Sequence, residues 1–308
     1  MSDFLEQVIA ERRADAMTSE RRVLEVDLAK DARDNVWTRV AKQGAADQLV
    51  RGWQAGGLSP NVPLRYGDAF TAALRERRAA GHIGVIAEVK RVSPALGVLE
   101  DNADPATLSK SYAAAGASAI SVLTEPRHWG GSMADLIAVR DALPTMPILC
   151  KDVIVHRQQI VEARAAGADA VLLIAEALTD DELRELMAHA GTLNMGVLLE
   201  AHEPIAFGRA AALRASVIGI NARNLRRPSE IDIGRARQLH AFARPEQILV
   251  AESGISTADD ARLLPARVDA VLIGTALMRA ADPKPLISAI ASIRKTTTPP
   301  PVGSAPRR

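Results

Sequence analysis

Eight short apolar runs, each followed by an alanine-rich stretch, leave this chain few folds to choose from. The runs cover 85–89, 119–123, 147–150, 170–174, 196–199, 217–220, 248–251 and 270–273. The helical stretches cover 105–115, 133–142, 157–166, 180–193, 204–213, 233–243, 258–264 and 283–293. Strand alternating with helix implies a parallel sheet joined by right-handed crossovers. Several runs are apolar at both parities, as strands buried on both faces must be. Eight such units, at roughly 20–35 residues each, predict an α/β fold of the closed (β/α)8 type, a TIM barrel. A doubly wound open sheet is the structural alternative. It usually has fewer strands, and the Gly-x-Gly-x-x-Gly fingerprint for dinucleotides is absent. Gly116-Ala117 and Gly167-Ala168 fit helix stops ahead of the next strand.

The part before the barrel has a different texture. Phe4, Leu5, Val8 and Ile9 predict an amphipathic helix over 4–16, and Val23, Leu24 and Leu28 a second over 20–33. Gly52, Gly56, Gly57, Pro60 and Pro63 break up 43–67 before a third helix over 68–79, opened by Gly67 or Asp68. The expected division is a helical extension packed on the barrel over 1–82, the barrel over 83–294, and a disordered tail over 295–308. A content of 48% hydrophobic and 24% charged residues is globular. A net charge of +1 and 3% aromatic residues give no pull toward nucleic acid or an anionic membrane. One cysteine excludes an internal disulfide and suits a reducing compartment. The start, Met1-Ser2-Asp3-Phe4, lacks a secretory pattern, and no apolar run is long enough to span a bilayer. A cytoplasmic protein is expected.

In such barrels the site lies at the C-terminal ends of the strands. The eight runs end, in order, on Glu88, Lys90 and Ser93; on Thr124 and Glu125, with Trp129 and Gly130-Gly131-Ser132 following; on Lys151 and Asp152; on Glu176; on Glu200 and His202; on Asn221 and Arg223; on Glu252, Ser253 and Gly254; and on Gly274 and Thr275. Strand parity puts Ile86, Glu88 and Lys90 on one side, and Lys151 with Leu149 away from Cys150. Charge at the end of a buried strand is costly unless paired or used. For Glu88 and Lys90 alone, a structural ion pair is the plain alternative; so many charged or amide groups at one mouth exceed what solvation requires. Ser253-Gly254 and Gly274-Thr275 are each expected to open a short helix and together to cup a phosphate, although loop glycine often serves only the turn. The histidines are scattered without metal-ligand spacing, so no metal site is expected. His202 reads as a supporting or packing residue beside Glu200, Cys150 as a small buried hydrophobe, and Trp129 as either a stacking lid or a rim anchor. No Gly-x-Ser-x-Gly elbow supports a serine nucleophile.

These residues fall in ordered blocks: Ile-Ala-Glu88-Val-Lys90-x-x-Ser93-Pro94, Ser121-Val-Leu-Thr-Glu125, Trp129-x-Gly131-Ser132, Leu149-x-Lys151-Asp152, Gly167-Ala-Asp169, Glu200-x-His202-Glu203, Gly219-Ile-Asn221-x-Arg223-Asn224-Leu225, Glu252-Ser253-Gly254-Ile255 and Gly274-x-x-Leu277-Met278. In them the chain resembles the indole-3-glycerol phosphate synthase family of tryptophan biosynthesis, over about 65–278. The resemblance implies a small phosphorylated substrate, 1-(2-carboxyphenylamino)-1-deoxyribulose 5-phosphate, closed to indole-3-glycerol phosphate with loss of carbon dioxide and water. It implies no metal and no organic cofactor. By resemblance Lys151 protonates the carbonyl, Glu200 is the base, Glu88 faces the cationic intermediates, and Lys90 holds the aromatic carboxylate. The dehydration acid is Lys90 or Lys151. Asn221 fixes a sugar hydroxyl, supported by Arg223 and Glu252. Ser93, Ser253, Gly254, Gly274 and Thr275 surround the phosphate, and Trp129 and Leu172 line the aromatic pocket.

The chain departs from the family pattern at Trp129, where phenylalanine is common, and at Cys150 and Val153, where arginine and phenylalanine are common. Thr275 stands for a serine and Ala222 for an asparagine, and the segment around 35–64 is longer than usual. None of these removes a proposed catalytic group. Phosphoribosylanthranilate isomerase, a related barrel, resembles a Cys/Asp acid–base pair with cysteine at the first strand end; Glu88 and Lys90 stand there instead. A catalytically silent scaffold would have no need of the charged strand ends.

Overall fold

The computed structural model describes residues 3–30, 68–100 and 103–295, with side chains of the first helix described as far as Thr18. The expected irregular stretch over 43–67 and all but the first residue of the expected tail lie outside these residues, as does the end of the helix expected over 20–33.

The eight barrel strands are β1 (Gly84–Val89), β4 (Ala119–Leu123), β5 (Ile148–Lys151), β6 (Ala170–Ile174), β7 (Gly196–Ala201), β8 (Val217–Asn221), β9 (Ile248–Glu252) and β10 (Ala270–Ile273). All neighbours pair in parallel, and β1 closes on both β4 and β10. The crossovers are α3 (Pro105–Ala114), α4 (Met133–Ala142), α5 (Arg157–Ala165), α6 (Asp180–Thr192), α7 (Pro204–Ala212), α8 (Arg235–Leu239) and α9 (Ala258–Arg262). After β10 come α10 (Thr275–Arg279) and α11 (Lys284–Ala291). The expected closed (β/α)8 barrel is the fold observed. Gly116 and Gly167 have φ of 99° and 100°. That is the left-handed conformation a helix stop requires of glycine.

Among the described residues, two helices precede the barrel. α1 (Phe4–Lys30) runs unbroken where two helices were expected. At the expected break the Thr18 hydroxyl donates to the carbonyl of Ala14 (3.0 Å), within the same helix, and caps no new one. α2 (Ala69–Ala79) is capped by Asp68, whose carboxylate accepts from Thr71 N–H (2.8 Å). Phe70 and Leu74 are fully buried against the strands. Leu74 approaches Gly84 and the Asp68 carboxylate approaches Gly196, so α2 plugs the N-terminal end of the barrel; a Cβ on Gly196 would overlap that carboxylate.

The same end carries the buried polar scaffolding. Asp269 accepts from Leu249 N–H (2.9 Å) and pairs with Arg267 (2.6 Å) and Lys295. Lys295 also donates its backbone N–H to Gly81 (2.8 Å), so the first residue of the expected tail is tied to the barrel. Arg140 bridges Gly167 O (2.8 Å) and Asp169. Asp269, Arg140 and Asp169 thus find their partners within the protein, as structural groups do. No helix of the described residues is long and apolar enough to cross a membrane.

Candidate active site

Parallel register decides which side chains share the barrel interior. Glu88 pairs with Ser121 and Lys151 with Leu123; Glu200 pairs with Ile174 and Gly219, and Asn221 with Glu252. Registered partners face the same way, so these groups rise together from the C-terminal ends of the strands. They open into one cavity of about 300 Å³. Every residue proposed from sequence lines it: Lys151, Glu200, Lys90, Glu88 and Asn221, together with Ser93, Trp129, Leu172, Arg223, Glu252, Ser253, Gly254, Gly274 and Thr275. Cys150, on the opposite face, is buried with its Sγ 3.3 Å from Thr124 Oγ1. Burial pushes its thiol up to about 12, so it is inert at neutral pH.

Lys151 is the hub. Its Nζ lies 3.1 Å from Glu200 Oε2 and 2.7 Å from Glu252 Oε2, and both carboxyl groups are 1% exposed. Two carboxylates this close to one another cannot both stay charged beside a single cation. Burial drives Glu252 well above the usual carboxylate range, and the charge on Glu200 pushes it further. Burial also raises Glu200, but Lys151 and hydrogen bonds from Glu252, Asn221 and Lys151 outweigh it, leaving Glu200 below its ordinary value. We therefore assign the charge to Glu200 and the proton to Glu252. Burial opposes the charge on Lys151, yet the charges on Glu200 and Glu88 and a hydrogen bond to Glu252 keep it protonated. Gly219 makes this packing feasible, because a Cβ there would overlap Glu252 Oε1.

Lys90 sits on the other side of the mouth, 2.9 Å from Glu88 Oε1. Glu88 Oε2 has no hydrogen-bond partner although it is buried. A buried carboxylate oxygen without a donor is costly unless something else supplies one. Gly274 leaves the room Glu88 occupies, since a Cβ there would overlap its Oε1.

Asn221 is held from three directions. Its Nδ2 donates to Glu200 Oε1 (2.8 Å), its Oδ1 accepts from Arg223 N–H (2.9 Å), and its carbonyl lies 2.8 Å from His202 Nδ1. A carbonyl can only accept, so His202 carries its proton on Nδ1. His202 does not line the cavity and acts by holding Asn221, as a supporting residue would. Burial lowers Arg223, with Glu88 offsetting part of this, and its Nη1 donates to Pro228 O.

Two expected mouth residues bind backbone amides: Glu125, which lines the cavity, and Glu176, which does not. Glu125 accepts from the N–H groups of Arg127 (3.0 Å), His128 (2.7 Å) and Trp129 (3.0 Å), which shapes the loop presenting the indole of Trp129. Glu176 accepts from His202 and Glu203 N–H (2.7 and 2.8 Å) at the start of α7. The expected helix start at Ser253-Gly254 is not there. Both residues are left-handed, with φ of 65° and 74°, and cannot begin a right-handed helix. α9 starts later, under a Thr257–Asp260 capping box. Gly274-Thr275 does open α10, a helix of five residues. Among the described residues, the backbone N–H groups of Gly254 and Thr275 donate to no protein acceptor.

Sequence reasoning missed two features of the mouth. One is a small hairpin, β2 (Val92–Ser93) with β3 (Gly97–Val98), which buries Ser93 and brings Pro94 and Leu96 to the cavity. Two-residue strands leave no periodicity to read. The other is α1, which lies along the rim. Phe4 and Leu5 line the cavity, and the Phe4 ring meets His128 and Trp129 at centroid distances of 5.2 and 5.8 Å. Arg12 Nη2 reaches Asp152 Oδ2 (2.8 Å), which also accepts from Thr124 Oγ1 (2.9 Å). Burial raises Asp152, and Arg12 and Thr124 offset part of that. Arg12→Ala would leave this carboxyl without its cation and is expected to cost about 3 kcal/mol. Arg13→Ala breaks only an exposed pair with Glu182 (2.8 Å) and should cost under about 1 kcal/mol. Urea unfolding of both variants checks this; equal losses would show that the burial of the Arg12–Asp152 pair is immaterial.

Fold and mouth together set a lysine between two glutamates in the cavity of a (β/α)8 barrel, an arrangement suited to acid–base chemistry. Among the described residues no cluster of His, Cys, Asp and Glu is arranged to hold a metal ion. The family model for indole-3-glycerol phosphate synthase matches residues 62–290. The chain belongs to that family. It is 52% identical over 208 residues to the indole-3-glycerol phosphate synthase of a Nocardioides strain, covering 67% of this chain and 79% of that one. It is 37% identical over 284 residues to the Polaromonas naphthalenivorans synthase, covering 92% and 96%. Among solved structures, a tryptophan synthase alpha chain from Legionella pneumophila is 13% identical with a TM-score of 0.53, covering 73% of this chain and 97% of that one. A 3-hexulose-6-phosphate synthase from Salmonella typhimurium is 16% identical with a TM-score of 0.53, covering 68% and 97%. At these identities the structural likeness speaks to the fold alone.

Proposed function

We propose that the ring closure, decarboxylation and dehydration that make indole-3-glycerol phosphate are carried out here by Lys151 and Glu200, with Glu252 as a neutral partner. The chain is a carboxy-lyase of tryptophan biosynthesis by its family. The observation that carries the assignment of roles is the Lys151 ammonium poised between two buried glutamates inside the cavity.

The substrate's aromatic carbon is a weak nucleophile, so its ketone must be activated. As the ring carbon bearing the carboxylate attacks, the ketone oxygen becomes an alkoxide. An alkoxide is a stronger base than any lysine amine, so the Lys151 proton moves downhill even from a firmly protonated ammonium. Loss of carbon dioxide restores the aromatic ring. Glu200, kept ionised, then removes a proton from the carbon beside the nitrogen while the hydroxyl leaves as water. The proton for the leaving water comes from Lys90, or from Lys151 once solvent has replaced the proton it gave to the alkoxide. Glu88, with an oxygen lacking any donor, faces the cationic nitrogen that develops between these steps. Lys90 holds the substrate carboxylate until it departs. The phosphate rests on the free amides of Gly254 and Thr275 beside Ser93, Ser253 and Gly274, and the aromatic ring lies between Trp129 and Leu172.

Crystals grown with an unreactive, reduced substrate analogue test this placement. The aromatic carboxylate is expected on Lys90 and the phosphate on the amides of Gly254 and Thr275. An analogue bound the other way round would overturn the assignments. A small phosphorylated substrate is the only partner this site calls for, and we place the enzyme in the cytoplasm, where its pathway's intermediates are made.

A further inference from the structure

Among the described residues, four cationic side chains line the cavity: Lys90, Lys151, Arg223 and Arg279. Three are already engaged. Lys90 is paired with Glu88, Lys151 with Glu200 and Glu252, and Arg223 donates to Pro228 O. Arg279 is exposed. Among the described residues it makes no ion pair and no side-chain hydrogen bond. A substrate bearing a phosphate dianion brings more negative charge to this end of the cavity than the paired inner groups can balance.

Arg279 ends α10, four residues after Thr275. Residues four apart stand one above the other on a helix face. Long helical side chains lean back toward the helix N-terminus. The Arg279 guanidinium therefore overhangs the turn at Gly274-Thr275, where free amides were placed around the phosphate. We infer that Arg279 is a further substrate-binding residue: it closes over the phosphate from the solvent side and supplies the charge that the backbone amides lack. The inference rests on the phosphate position proposed above. On that placement Arg279 meets the phosphate and not the reacting ring system, so its contribution belongs to binding and not to the chemical steps.

The test compares wild type with Arg279→Gln and Arg279→Lys, using inorganic phosphate as a competitive inhibitor. Because Arg279 is exposed and unpaired, both variants are expected to melt as wild type does. Losing a charged hydrogen bond should raise KM of Arg279→Gln about tenfold, with kcat within about twofold. The inhibition constant of inorganic phosphate should rise by a similar factor. Arg279→Lys should recover much of both, since a point charge also serves a phosphate. The rise of KM with ionic strength should be shallower in Arg279→Gln than in wild type. If phosphate competes in wild type but Arg279→Gln keeps both its KM and its inhibition constant, the inference is wrong. If phosphate does not compete in wild type at all, the phosphate position itself fails, and the role of Arg279 with it.

Discussion

Lys151→Ala is expected to bind the reduced substrate analogue nearly as well as wild type and to turn over about 10²–10⁴-fold more slowly. The structure places this toward the upper end. Lys151 is the cation that keeps Glu200 ionised against burial. Without it the acidity of Glu200 rests on hydrogen bonds from Glu252 and Asn221 alone against burial, so one substitution removes the acid and weakens the base. Lys90→Ala should fail differently. Lys90 meets one carboxylate, Glu88, at 2.9 Å, and its proposed contact with the substrate carboxylate exists in the ground state. Its loss should weaken analogue binding by about 1.5–3 kcal/mol. Calorimetry with the analogue and single-turnover fluorescence of the indole product separate the two lysines. If Lys151→Ala retains most of its turnover, or if the binding defects are exchanged, the roles are assigned wrongly and Lys90 becomes the principal acid.

The two glutamates beside Lys151 should differ as sharply. Glu200→Gln removes the ionised partner and is expected to lower kcat by about 10²–10⁴-fold. Glu252→Gln replaces a carboxylic acid that is already neutral with an amide of nearly the same shape. The amide can still donate to Glu200, so kcat should fall less than about tenfold. The contrast follows from the order of the two groups in acidity. Burial raises both, but Glu200 alone also accepts from Asn221 and from the proton on Glu252. Steady-state kcat for the two variants, at a pH where wild type is fully active, decides the matter. If Glu252→Gln is as damaged as Glu200→Gln, Glu252 is charged in the working enzyme and the shared proton has been misplaced.

What could be read from the chain differed between backbone and site for physical reasons. The strands at 119–123, 170–174 and 270–273 coincide with β4, β6 and β10. Their apolar residues at both parities leave no other way to bury them. The eight strand ends could be located for the same reason, and the structure gathers the proposed residues into one cavity. Local pattern failed where the deciding contact is remote. Arg12 and Asp152 are 140 residues apart, and nothing near either announces the pair. Glu176 was grouped with the mouth because charge at a strand end is conspicuous, yet it does not line the cavity and its Oε1 is claimed by backbone amides that sequence cannot place; Glu125 does line the cavity, with its oxygens taken by the loop amides. Ser253-Gly254 looked like a helix start because glycine after a strand often is one. Successive left-handed residues forbid it. The protonation of Glu252 was out of reach altogether, since it depends on three side chains from three strands meeting at one point.

The most direct measurement follows indole fluorescence and carbon dioxide release together after purified protein is mixed with 1-(2-carboxyphenylamino)-1-deoxyribulose 5-phosphate. One indole product and one carbon dioxide per substrate are predicted for wild type; both signals should be lost together in Lys151→Ala, whereas Glu200→Gln should lose the indole signal while still releasing up to one carbon dioxide per site. Wild-type protein that yields no indole product, or variants that keep wild-type rates for both signals, would contradict the chemistry assigned to this mouth.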